Sequence, residues 1–169
     1  SVNIEFSDSA KSPLNKEDIV SFKGLDYFEI DTNYCVKAFF KRTPYEVPFP
    51  MKTTTSRTPV YVKYGELIFS LGSNIYTLNL YKNLDANRKR EYDNYLFLPF
   101  TDLTNGNETY GGGRYIDLPV PDGDTVILDF NMAYNPYCAY NHKYSCPIPP
   151  AENNLMVEIK AGVKAYKKH

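Results

Sequence analysis

The stretch from Pro59 to Tyr81, PVYVKYGELIFSLGSNIYTLNLY, constrains the fold more than any other part of this chain. Side-chain character alternates with a period of two, β-branched and aromatic residues dominate, and Leu71-Gly72-Ser73-Asn74 separates the two runs with turn formers. A period of two sends successive side chains to opposite faces of a strand, and a short glycine turn folds two such strands back as a hairpin. Gly65, inside the first run, predicts a bulge.

The same period recurs elsewhere. Tyr34 to Arg42 places Val36, Ala38 and Phe40 on one side, which reads as a core face. Pro44, Pro48 and Pro50 then restrict the chain to an edge or an extended connection. Tyr95 to Phe100, Arg114 to Val120, Asp124 to Asn131 and Leu155 to Lys160 read as further strands, two of them joined by the turn Pro121-Asp122-Gly123. One helix is predicted: Asn15 caps it, Glu17 and Asp18 sit at the positive end of its dipole, and Gly24 ends it after about two turns. Lys82 to Asn94 reads as a solvated loop or a short exposed helix. The expected fold is mainly β: a single antiparallel sheet folded into a partly closed barrel or sandwich, with a short N-terminal helix. The expected organisation is an arm over residues 1–14, one β-rich domain over 15–163 and a basic tail over 164–169.

Length and charge narrow the function classes. A chain of 169 residues suits one domain that buries roughly 70% of its unfolded surface. Its net charge of −1 gives no footprint for nucleic acid, and Arg88-Lys89-Arg90 is offset by Asp85, Glu91 and Asp93. No stretch approaches the ~20 apolar residues of a membrane-spanning helix. The sequence begins Ser-Val without Met, which reads as processing or trimming, and a removed signal or lipoprotein leader would fit. There are 16 Tyr and 10 Phe but no Trp, which the β propensity of tyrosine explains; the sharper reading is a ring-lined ligand surface, for instance for sugar.

Candidate chemistry concentrates in two places. Gly111-Gly112-Gly113 precedes a strand rather than a helix, so it does not read as a phosphate loop; it allows close approach to the backbone or a bulge. Arg114 beside it can clamp a carboxylate or phosphate, or form an internal ion pair with Glu108 or Asp129. The segment Asn131 to Asn154 holds Cys138, His142 and Cys146 at every fourth position, among prolines and tyrosines and without an aliphatic run. Three readings stay open there. Two thiolates and an imidazole suit zinc, although Pro136 and Pro147 argue against the helix that would align them. A disulfide closing the nine-residue loop would stabilise the fold by roughly 2.5 kcal/mol and leave Cys35 unpaired. Reduced, packed thiols are the third. Asp129, Asn131, Tyr134, Asn135 and Glu152 flank this loop and read as turn-capping groups or as a polar site.

These motifs resemble a known family. Phe97-Leu98-Pro99-Phe100-Thr101-Asp102, Glu108-Thr109-Tyr110-Gly111-Gly112-Gly113-Arg114-Tyr115, Leu128-Asp129-Phe130-Asn131, Ala133-Tyr134-Asn135-Pro136, Cys138-Ala139-Tyr140, Cys146-Pro147 and Pro150-Ala151-Glu152-Asn153 are similar to the bacterial domain of unknown function family 1684. The resemblance runs from about Phe22 to Gly162, and within it the chain looks most like secreted or lipoprotein-type members from Bacteroides and relatives. Both cysteines match the pattern, and His142 departs from it, which counts against zinc and against a histidine base. The family implies no activity.

The resulting expectation is a monomeric binding or structural module of the bacterial envelope, whether periplasmic, an outer-membrane lipoprotein or secreted. Its site would comprise Tyr110, Arg114, Asp129, Asn131, Tyr134, Asn135 and Glu152, with Cys138 and Cys146 as a candidate disulfide. A small molecule or glycan is the expected partner, with no cofactor, metal or nucleic acid. The alternative is a hydrolase using two of Glu108, Asp129 and Glu152 as acid and base.

Overall fold

The hairpin forms as its alternation predicts. In the structure, a computed structural model describing residues 12–15 and 24–166, β3 (Val60–Leu71) and β4 (Asn74–Asn83) pair antiparallel from Tyr61–Asn83 to Leu71–Asn74. Gly72 and Ser73 make the turn. The register shifts between Lys63 and Gly65, so the bulge falls at the expected glycine. There the neighbouring strand comes too close for a side chain: a Cβ on Gly65 would lie 2.6 Å from the Phe40 ring and 2.7 Å from the Lys41 carbonyl oxygen.

Five more strands complete one seven-stranded antiparallel sheet: β1 (Cys35–Arg42), β2 (Phe49–Pro50), β5 (Tyr95–Phe100), β6 (Arg114–Pro119) and β7 (Thr125–Asp129). The order is β6-β5-β4-β3-β1-β7, and the proline-rich β2 is a two-residue edge piece on β3. The sheet curls into a half-barrel. Beyond β7, Tyr134 bridges Tyr115 of β6 through reciprocal N–H···O bonds of 2.8 and 2.9 Å, which brings the two ends of the strand order together.

One face of the strands is aliphatic and buried. Ala38 and Phe40 of β1, Leu67 of β3, Leu80 of β4, Leu98 of β5 and Ile116 of β6 meet inside the curl with Phe130 and Leu155. Among the described residues helical structure is limited to 3-10 turns, at Thr32–Tyr34, Arg90–Tyr92, Phe130–Met132, Tyr137–Ala139 and Ala151–Asn153. The helix expected after Asn15 falls on residues 16–23, outside the described residues, as do most of the arm and the last three residues of the tail. At the arm's end, Leu14 is buried against Tyr140.

The expected strand at Leu155 to Lys160 is corrected. Its alternation is real, with Leu155, Ile159 and Ala161 buried, but it belongs to no named strand. It meets its neighbour through a single parallel bridge, Thr101–Asn154, and through Leu103 N–H to Val157 O at 3.0 Å. Farther along, side chains satisfy its backbone in place of a ladder.

Candidate functional site

Those side chains are Arg114 and Asp102. Arg114 opens β6 on the inward face and is completely buried. Its Nη1 donates to the carbonyls of Ala161 and, at 3.2 Å, Val163; its Nη2 donates to Ile159 O at 2.9 Å and Asp102 Oδ1 at 3.5 Å. Asp102 Oδ2 in turn accepts from Ile159 N at 2.8 Å, from Thr104 N at 3.1 Å and from the Thr104 hydroxyl at 2.7 Å. A charged pair therefore does the work of a strand partner for residues 159–163. Burial pulls the arginine's pKa down and the Asp102 carboxylate opposes it; a guanidinium stays charged through such a shift. The ion pair is formed with Asp102, while Glu108 sits near Lys160 at 3.7 Å and Asp129 caps a turn. Gly113 serves the same closure: it sits at φ 92°, and a Cβ would lie 2.6 Å from Phe100 O. What approaches Gly113 is the protein's own β5, while Gly112 lies against the Tyr110 ring.

The other expected site residues separate into two groups. Asp129 accepts from Asn131 N at 3.0 Å and from the Asn131 amide at 2.9 Å, and Asn131 exchanges bonds of 3.0 and 2.9 Å with the backbone of Asp31. Both fasten the Phe130–Met132 turn to the chain before β1. Glu152 is exposed on the Ala151–Asn153 turn, whereas its neighbour Asn153 is buried. Tyr134 and Asn135, by contrast, line a cleft of about 520 Å³. Tyr110 lies beside the cysteines, with its hydroxyl 3.6 Å from Cys138 Sγ.

The cleft occupies the outer face of the strands whose inner face is the core. Alternation that turns Leu96, Leu98, Ile116 and Leu118 inward turns Phe97 and Asp117 outward as directly opposed partners, with Tyr81 next in the row. Rings pack in a row along this face: Tyr61 tilted against Phe97 at 5.7 Å between centroids, then Phe97 to Tyr115 at 4.6 Å and Tyr115 to Tyr134 at 5.7 Å, both edge to face. Nine of the twenty lining residues are tyrosines, and the facing wall comes from the loop after Tyr134. That wall is tied back to the chain around Thr54, through Thr54 N to Cys146 O at 3.0 Å, Cys146 N to the Thr54 hydroxyl at 3.1 Å and Ile148 N to Lys52 O at 2.9 Å.

Among the described residues Asp117 is the one charged residue in the lining. Its Oδ2 accepts the Tyr134 hydroxyl at 2.7 Å. Water reaches this carboxylate, yet the surrounding walls desolvate it, so burial raises its pKa and the Tyr134 bond acts in the opposite sense. Burial also pushes the Tyr61 phenol up to about 12 and Tyr115 and Tyr134 well above the ordinary range. The hydroxyls therefore stay protonated and act as donors, Tyr115 to the Pro147 carbonyl and Tyr134 to Asp117. Sequence reasoning missed Asp117, Phe97 and Tyr115. The signal was there: two strands with aliphatic residues on one face carry rings on the other, so both faces are covered.

The candidate disulfide is a pair of free thiols in the structure. Cys138 and Cys146 are buried and adjacent, with Cys138 N–H donating to Cys146 Sγ at 3.2 Å, while His142 is exposed between them. The even spacing places no common face, and among the described residues no group of three His, Cys, Asp or Glu side chains is arranged to hold a metal ion. Hydrogen bonding from Cys146 lowers the Cys138 pKa, and the shared proton correspondingly raises that of Cys146. Oxidation of this pair is expected to stabilise the fold by about 2.5 kcal/mol through loop closure. Denaturant midpoints measured with and without reductant should differ accordingly in the wild type and coincide in Cys138→Ser; coincident midpoints in oxidised wild type, verified by thiol titration, would refute it.

A half-barrel of antiparallel strands with an aliphatic interior and a ring-lined outer cleft defines the architectural class. The chain belongs to the family described as "Protein of unknown function (DUF1684)", whose model matches residues 20–164. It is also similar to an uncharacterized protein of Haloarcula marismortui solved by solution NMR, with 35% identity over 97% of this chain and 88% of that one and a TM-score of 0.75. No curated protein matches the chain.

Proposed function

We propose that this protein is a binding module whose site is the ring-lined cleft above β5 and β6, and whose ligand is a small organic molecule. One observation carries the reading: a cleft of about 520 Å³, within the range of small-molecule sites, is walled by tyrosines and, among the described residues, contains a single carboxylate. Stacking surfaces give affinity and the few polar groups give orientation, which suits a glycan or another compact ligand with apolar faces. The Arg114 and Glu152 side chains take no part in this site. Hydrolysis by paired carboxyl groups requires two of them about 5–10 Å apart around the scissile bond, and among the described residues the cleft contributes only Asp117.

Residence in the cell envelope belongs to the same proposal and rests on the resemblance to exported members; fractionation of cells producing the native protein tests it. For the cleft, amide chemical shifts of the labelled protein should be followed against mono- and disaccharides, small amines and aromatic compounds. At least one class should move residues around Tyr95, Asp117 and Tyr134, and Tyr95→Ala, at a half-exposed position, should weaken it severalfold. Shifts confined to other surfaces would refute the assignment.

A further inference from the structure

Resting on the reading of the cleft as a ligand site, we infer that its ligand is a small organic cation, an ammonium group on a compact apolar body, held between Asp117 and the surrounding ring faces. Among the described residues the lining contains no lysine, arginine or histidine. Aromatic faces are negative and attract a cation, most strongly where water is displaced. A carboxylate among such faces adds to the same sign of potential, so the cleft repels anions and accepts cations.

The hydrogen-bonding groups point the same way. Asn135 is buried, and its Nδ2 donates to the Tyr140 hydroxyl at 3.1 Å and to the Lys164 carbonyl at 3.2 Å. A carbonyl only accepts, so the bond to Lys164 identifies which end of the amide is nitrogen. The other end, Oδ1, is buried with no hydrogen-bond partner in the protein. Buried acceptors are rarely left so. Asp117 keeps Oδ1 available beyond the Tyr134 bond to Oδ2. The cleft thus offers the Asp117 carboxylate among π faces, with the Asn135 acceptor buried behind its wall, while the hydroxyls of Tyr115 and Tyr134 are turned to other oxygens. Two arginines beside the cleft are engaged by other groups. Arg57 is bonded to the hydroxyl and carbonyl of the lining residue Ser145, each at 3.2 Å, and Arg88 pairs with Asp93 at 2.9 Å in an adjoining, smaller cleft that shares Asn83, Tyr92 and Tyr95 and also includes Lys82 and Lys89.

The test uses choline and its uncharged isostere 3,3-dimethylbutan-1-ol, with glucose as a neutral sugar, titrated into the labelled full chain. Choline should shift the amides of Asp117, Tyr134 and Asn135, and the isostere should bind at least about tenfold more weakly, a factor within reach of a desolvated cation–π and carboxylate contact. Asp117→Asn preserves the acceptor for the Tyr134 hydroxyl and removes the charge, and it should weaken choline by a similar factor. Equal affinity for choline and the isostere, glucose binding the cleft more tightly than choline, or an unchanged choline affinity in Asp117→Asn overturns the cation inference and leaves the cleft as a site for neutral ligands. If no probe of either kind moves a cleft amide, both readings fall. The wild-type comparison stands whether or not the variant folds.

Discussion

Arg114→Ala is expected to destabilise the protein by about 3–5 kcal/mol, the range seen when one member of a buried ion pair is removed. The arginine is fully enclosed, and its loss strands the Asp102 charge together with the carbonyls of Ile159, Ala161 and Val163. Since a domain of this size is commonly stable by only about 5–15 kcal/mol, the variant should be marginal or unfolded at room temperature. Glu152→Ala, at an exposed position, should change stability by less than about 0.5 kcal/mol. Urea denaturation followed by far-ultraviolet circular dichroism separates the two outcomes. An Arg114→Ala protein as stable as wild type would mean that the segment 155–163 is held by packing alone.

Asn153→Ala should have the second largest effect, about 2–4 kcal/mol, because its buried amide satisfies three backbone groups at once. Its Oδ1 accepts from Asn79 N at 2.8 Å, and its Nδ2 donates to Asn79 O at 2.9 Å and Pro99 O at 2.7 Å. Those bonds lie where β4 and β5 pair at only one position, Tyr81–Phe97, so the side chain fills a gap in the ladder. The expected signature is a lower denaturant midpoint accompanied by faster amide exchange at Asn79, with exchange in the β3–β4 hairpin near its turn changed less. Uniform acceleration throughout the sheet would contradict a local role.

The contrast between these two positions and the candidate site shows what the chain discloses before it folds. Alternation is a local property, so β1, the hairpin with its Gly65 bulge, and the inward sets of β5 and β6 were all legible. What Arg114 meets was not, because Asp102 and the carbonyls near residue 160 converge only through the curl of the sheet. A guanidinium after three glycines reads equally as a ligand clamp or a structural clasp. Leu155–Lys160 misled for a related reason: its inward alternation is true, but its backbone is satisfied by side chains from elsewhere. In the cysteine loop, spacing alone left zinc, disulfide and packed thiols open, and only the third dimension put His142 outside and the sulfurs together. Of the expected site residues, Tyr134 and Asn135 reach the cleft because they follow β7 across to β6. Asp117 was passed over as an ordinary strand residue.

The bridge between Tyr115 and Tyr134 has a mechanical consequence. A sheet whose last two edges meet at one residue pair has a fault line there, where opening breaks two hydrogen bonds instead of a full ladder. Both tyrosines also furnish rings to the cleft, and Tyr134 holds its carboxylate. Whatever wedges those rings apart unzips the curl, and whatever clamps them together fastens it. A ligand seated between these rings would bear on the same residue pair that joins the two ends of the strand order.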